Sequence, residues 1–338
     1  MTETPRPLPE VKPRHFPPPP PLVEKTPGLW RRTPPAIFPP MMGLLGLGLA
    51  WRTLAAQPGG LSPVAETILG AVLLLYAFGL VAYLAKPLRR PGVVVEDLAV
   101  LPGRAGLAAM VLSLLLAAAA VRPYAPGLAL GMTIVGLVAL AGLGLLIGVL
   151  LLRGPEEGRT VTPVFHLTYV GYILSPLTLI PLGHATLSSV ILGVTVVIAL
   201  AIWLASLRQL ATRVPPAPLR LLLAIHLAPA SLFATVSALA GYPTLAMGFG
   251  LLALAILVAL VASGRWLLAA GFSPLWGALT FPLAASATAS MLSLGTPGLW
   301  IGTVLMIAAS ALNPYVAKQV LTLWARGQLA AKTNAATV

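Results

Sequence analysis

Ten apolar runs, each near the ~20 residues that a helix needs to cross a bilayer, follow one another along most of this chain. Their approximate spans are 35–55, 62–85, 99–121, 126–152, 163–183, 186–207, 218–241, 244–263, 273–293 and 297–324. Strands are excluded because the runs are too long and too rich in Leu, Ala and Gly. Gly183-His184 separates the fifth run from the sixth, and Gly241-Tyr242-Pro243 the seventh from the eighth, so both pairs read as tight hairpins. Only 9% of residues are charged and the mean hydropathy is +0.94, whereas an ordinary soluble domain is about 25% charged. The expected fold class is all-α and integral to a membrane, with ten transmembrane helices.

Where the positive charge falls tests that count. The formal net charge is +13, but the basic residues sit between apolar runs and form no patch with interleaved aromatics, so nucleic acid is not the expected partner. Nineteen of the 21 Lys and Arg lie in the N-terminal tail or after even-numbered runs, leaving only Arg52 and Arg122 after odd-numbered ones. A run missed or invented in mid-chain would destroy that split. Both termini are therefore expected to be cytoplasmic, with odd runs heading outward across a plasma membrane. Residues 1–34, with Pro17 to Pro21 unbroken, read as a Pro-rich cytoplasmic tail that is disordered or polyproline-like. Residues 35–325 form the membrane domain, and 326–338 a short C-terminal tail.

Proline marks the outward runs. The fifth has Ser175-Pro176, the seventh Ala228-Pro229 and the ninth Phe281-Pro282, spaced 53 residues apart in each case. The first has Pro39-Pro40 followed by Gly43, Gly46 and Gly48, while the only proline of the third, Pro102, stands at its start. A proline withholds one backbone donor from the carbonyl four residues earlier, for Pro282 that of Ala278. In lipid such a carbonyl must face protein or a wet cavity. Pro39, Pro40, Pro176, Pro229 and Pro282 thus read as kinks in helices that surround a path. Ser175, His226, Thr280 and Ser286, near these breaks, are candidate lining residues.

The absent chemistry narrows the function. None of the eight carboxylates (Glu3, Glu10, Glu24, Glu66, Glu96, Asp97, Glu156 and Glu157) lies deep in a run. Proton-coupled carriers keep titratable groups at membrane depth, and cation pores favour acidic rings. A neutral lumen with a positive cytoplasmic mouth, for which Arg104 and Arg220 are the best placed, favours small inorganic anions. No Cys is present, which excludes thiolate metal sites and disulfides. His166 and His226 without carboxylate support make a weak metal or haem set, so no cofactor is expected. The chain has no phosphate loop, nucleophile elbow or zinc-helix pattern and does not read as an enzyme. Phe281, ~12 Å along its helix from Ser273 at 1.5 Å per residue, would sit near mid-membrane. Followed by small residues, its ring reads either as ordinary core or as a plug.

ALTFPLAASATAS in the ninth run, LAIHLAPASLFATVSAL in the seventh and FPPMMGLLGLGLAWRTL in the first resemble the tellurite-resistance/dicarboxylate transporter family. The likeness is nearest to its bacterial tellurite-resistance branch, related to the slow anion channels of plant guard cells, and covers about residues 35–325. It implies five helical hairpins in quasi-fivefold arrangement around a central pore. It also implies a homotrimer in a bacterial inner membrane, with one pore per subunit. Phe281 matches the family's occluding Phe, and the kink prolines fall where the pore helices bend, except in the third run. The function expected is an anion channel passing small monovalent anions such as chloride or nitrate. The alternative is a carrier exporting an oxyanion or dicarboxylate such as tellurite, sulfite or malate.

Overall fold

The computed structural model describes residues 28–57, 60–154 and 159–338, so most of the Pro-rich tail, Glu156 and Glu157 lie outside the description. The described residues form helices and turns with no strand. In order they are α1 (Phe38–Ala55), α2 (Ser62–Arg89), α3 (Val93–Ala99), α4 (Leu101–Val121) and α5 (Pro126–Arg153). A broken stretch follows: a π turn His166–Val170, a 3-10 turn Gly171–Leu174 and α6 (Pro176–Leu179). Then come α7 (Ala185–Thr212), the 3-10 stretch Ala217–His226 leading into α8 (Leu227–Leu239), α9 (Pro243–Ala262) and α10 (Gly264–Leu267). The 3-10 turn Pro274–Trp276, α11 (Gly277–Ser293), α12 (Gly295–Ala325) and α13 (Leu329–Lys332) complete the chain.

Eight of these helical stretches are long and apolar enough to span a membrane. The two expected runs outside that set are the first and the fifth. In the first, α1 has only 18 residues and carries Pro39, Pro40 and Arg52. The fifth is divided among three short helical pieces.

Burial separates an inner set from an outer one. Of the spans at α4, the stretch ending in α8, and the stretch ending in α11, 61–89% is buried, against 17–33% for α2, α5, α7, α9 and α12. The inner elements meet in a closed cycle. α1 packs on α4, α4 on the broken stretch, that stretch on α8, α8 on α11, and α11 back on α1. The outer helices lie behind them: α2 on α1, α5 on α4, α7 on the broken stretch, α9 on α8, and α12 on α11 and α1. Apolar side chains on the outer helices, such as Leu74, Val138, Val197, Val258 and Val304, remain exposed, as a lipid-facing surface requires.

The prolines act as changes of helix type. Pro176, Pro229 and Pro282 each come at or soon after a switch from 3-10 to α-helix. A missing donor and a ring that crowds the preceding turn favour such tightening. Pro39 and Pro40 occupy the first turn of α1, where their absent N–H groups cost nothing. α4, with Pro102 at its start, runs unbroken.

Glycines let the inner helices close on one another. A Cβ on Gly43 would lie 2.3 Å from Thr280 of α11, and one on Gly277 would lie 2.8 Å from Pro39. Gly48 faces away from these contacts, toward Leu69 of α2.

Glu96 and Asp97, outside the apolar runs, belong to the short helix α3. Asp97 is fully buried and paired with the equally buried Lys86 at 3.1 Å, and Tyr83 Oη donates to the same oxygen at 2.9 Å. Buried charge persists only when matched in this way. The backbone N–H of Ala336 donates to the other Asp97 oxygen at 2.8 Å. Val338 N donates to the Arg31 carbonyl at 3.1 Å and Arg90 Nη2 to that of Thr337 at 2.8 Å, so the last residues pack against the α2–α3 corner.

Candidate functional site

The five inner elements enclose two cavities on one axis. One, of about 50 Å³, lies toward the ends where the odd-numbered stretches begin. Met42 (α1), Ala105 (α4), Leu167 (broken stretch), Ala228 (α8) and Ala278 (α11) represent its wall, in which no described residue is charged. The second, of about 430 Å³, lies toward the far ends. It is bordered by Gly46, Leu116, Leu177, Leu232 and Ala285 of the same five elements in turn. Phe281 borders both, together with a small space of about 20 Å³ beside Pro229. Its ring is only 5% exposed.

α11 and α1 together hold that ring. Pro282 cannot donate to the carbonyl of Ala278, which borders the smaller cavity. Opposite the ring, α1 presents Gly46, where a Cβ would come within 2.8 Å of Phe281 Cδ2. The ring thus occupies the space that a side chain at Gly46 would need.

None of Ser175, Thr280, Ser286 and His226 is among the residues lining the two axial cavities. Ser175 Oγ donates to the Tyr172 carbonyl, Thr280 Oγ1 to Gly277 and Ser286 Oγ to Leu283, each at 2.8 Å. A hydroxyl in an apolar helix satisfies itself on the preceding turn, and Thr280 Oγ1 also reaches the Pro39 carbonyl of α1 at 3.2 Å. His226 faces away from the axis and meets His166, Nδ1 to Nε2, at 2.9 Å. Among the described residues no group of three or more His, Asp or Glu could hold a metal.

Arg104 and Arg220 stand beside the smaller cavity without lining it. Arg104 Nε donates to the Leu98 carbonyl at 2.7 Å. Arg220 Nε donates to that of Pro215 at 3.1 Å, and its guanidinium lies 4.5 Å from the Trp266 ring centroid. Both close corners of the chain while keeping their charge near that end of the axis.

The cations that do border an axial cavity are Arg52 and Arg122, the two exceptions to the charge split, both on the larger cavity. Arg52 is neutralised: Nε and Nη2 grip the Glu66 carboxylate at 2.8 and 2.6 Å, and Nη1 caps α4 at the Ala120 carbonyl at 3.0 Å. Arg122 has no carboxylate partner among the described residues, and its buried Nε has no hydrogen-bond partner there. Burial, and then the charge of Arg52, lower its pKa from the ordinary value, although a guanidinium stays protonated at physiological pH. Thr235 and Thr288 border the same cavity. The sequence signal for this pair was its position: the only basic residues at the far ends of the runs.

Residues 32–321 match the family described as SLAC1, voltage-dependent anion channel. The chain belongs to this family. The tellurite-resistance/dicarboxylate transporter resemblance is to the same family. Membership makes the chain a multi-pass membrane protein of the anion channel or transporter class. No curated protein matches it.

Proposed function

We propose that this SLAC1-family chain is an anion channel whose path runs along the axis of the inner elements and is closed by Phe281. The observation that carries the reading is that one ring borders the cavities on both sides, and all five inner elements line each cavity. An apolar ring across a narrow, uncharged constriction stops an ion by sterics and by offering nothing to replace its hydration. Arg122 draws anions into the larger cavity, while the charges of Arg104 and Arg220 bias the opposite mouth. Backbone released at Pro176, Pro229 and Pro282, and the start of α1 at Pro39 and Pro40, shape the wall between.

On this reading α1 and the broken stretch are spans too, giving ten helices as five hairpins in quasi-fivefold order. The distribution of Lys and Arg supports cytoplasmic termini, and the family likeness favours a bacterial inner membrane. Residues 35–325 are then the channel domain, flanked by cytoplasmic tails at 1–34 and 326–338, and the family likeness favours a homotrimer. Small monovalent anions fit a wall without charge at its narrow part.

The test is anion flux into proteoliposomes holding wild type or Phe281→Ala. The channel reading expects little flux from wild type and a large, non-saturating flux from the variant. Equally small flux from both, with the protein correctly inserted, would overturn the gate. Saturable flux coupled to a proton gradient in wild type would favour an oxyanion or dicarboxylate carrier.

A further inference from the structure

Two imidazoles tie the broken stretch to the stretch ending in α8. His166, only 3% exposed, begins the π turn His166–Val170, and His226 ends the 3-10 stretch Ala217–His226. His166 Nε2 and His226 Nδ1 lie 2.9 Å apart, with the rings edge to face at 85°. One ring must donate and the other accept. Their remaining nitrogens, His166 Nδ1 and His226 Nε2, have no partner among the described residues. Trp203 of α7 backs His166, with ring centroids 5.7 Å apart. The hydroxyls of Ser175, Ser231 and Thr235 donate within their own elements, and Tyr169 Oη donates to Gly144 of α5. None of these four joins the two stretches.

The tie stands beside the Phe281 ring. His166 borders the same space of about 20 Å³ that Phe281 borders. Such a volume holds about one water, far less than a phenyl ring needs. Its wall comes mainly from the two tied stretches: Val170 and Leu174 on one, Ile225, Pro229 and Leu232 on the other. A ring turning toward them can enter only if the two stretches part. Both change helix type at this level, the π turn passing to a 3-10 turn at Gly171 and the 3-10 stretch to α8 at Leu227. Such changes of type often mark hinges.

We propose that His166 and His226 are positioning residues for the gate. The inference rests on the reading of Phe281 as that gate. Their hydrogen bond holds the two stretches at a spacing that denies the ring room beside the path, so the ring stays across it. Loosening the bond widens the space and raises the fraction of time that the ring spends aside. The pair acts through the spacing it sets: His226 lines neither axial cavity, while Ile225 and Ala228 beside it border both the smaller cavity and the space at the ring.

The experiment is anion flux into proteoliposomes holding equal amounts of inserted full chain or its variants. His166→Leu and His226→Leu each remove the bond and should raise flux about 5-fold, the effect of one hydrogen bond on the open fraction. His226→Asn sets an amide where Nδ1 stood, keeps a partner for His166 and should match wild type. His166→Leu/His226→Leu leaves no unpaired nitrogen and should also raise flux about 5-fold, which keeps the test decisive if a single variant misfolds. In a Phe281→Ala background none of these substitutions should add to the flux. Leu variants as tight as wild type, His226→Asn as leaky as His226→Leu, or Leu substitutions that add to Phe281→Ala would each overturn the proposal. A silent Phe281→Ala would end the gate reading and this proposal with it, whereas a leaky Phe281→Ala beside tight Leu variants overturns the tie alone.

Discussion

Replacing Gly46 with Ala tests the contact between α1 and the Phe281 ring without touching the ring itself. The new Cβ would stand 2.8 Å from Cδ2 and 3.1 Å from Cε2, where carbon atoms settle at about 3.5–4.0 Å. The ring must therefore retreat by about 1 Å. It has somewhere to go, because it borders cavities on both sides. Pushing a side chain ~30° off its rotamer costs about 0.5–1.5 kcal/mol. If that cost falls on the closed arrangement alone, the open fraction rises by up to about 10-fold. Patch recordings matched for surface abundance should show this increase for Gly46→Ala. In a Phe281→Ala background the same substitution should add nothing, since no ring is left to displace, which makes the pair non-additive. An equal effect in both backgrounds would refute the reasoning, as would no effect in a well-expressed single variant.

The charged positions give three further predictions. Arg122→Gln removes the cation on the larger cavity that has no carboxylate partner among the described residues. Flux at low anion concentration should fall by about 5- to 10-fold and recover at high salt, which a concentration series in flux assays would show. Glu66→Gln frees the Arg52 guanidinium from its bidentate partner, and the same series should shift in the opposite direction. Asp97→Asn leaves the fully buried Lys86 without its counter-charge. That should cost about 3–5 kcal/mol and lower the melting temperature of the purified protein.

The elements that span the membrane were legible because lipid imposes length and apolarity directly on sequence. Pro176 and Pro229 stand where 3-10 turns give way to α-helix, as a residue that acts on its own backbone can, whereas α11 runs on through Pro282 without a break. That switch of helix type, and the survival of α11 around Pro282, depend on packing that spacing does not carry. Which hydroxyls border the cavities is a matter of helical phase, which the runs do not carry: one position, about 100° of turn, separates Phe281 beside both cavities from Thr280 in the α1–α11 seam. Arg104 and Arg220 were read from their position after a run, which says nothing about the carbonyls that engage them. Arg122 was visible only as an exception, because what distinguishes it is that no described carboxylate pairs with it in space. The burial of Asp97 was not legible because its partners come from α2 and from the far end of the chain.

The most direct measurement of the central claim is the reversal potential of Phe281→Ala currents across a membrane with unequal chloride and equal cation on its two sides. A channel opened along the enclosed axis predicts large currents that reverse at the chloride equilibrium potential and follow it as chloride is replaced by nitrate or gluconate. Currents that ignore the anion gradient, or silence from a correctly inserted variant, would contradict the account.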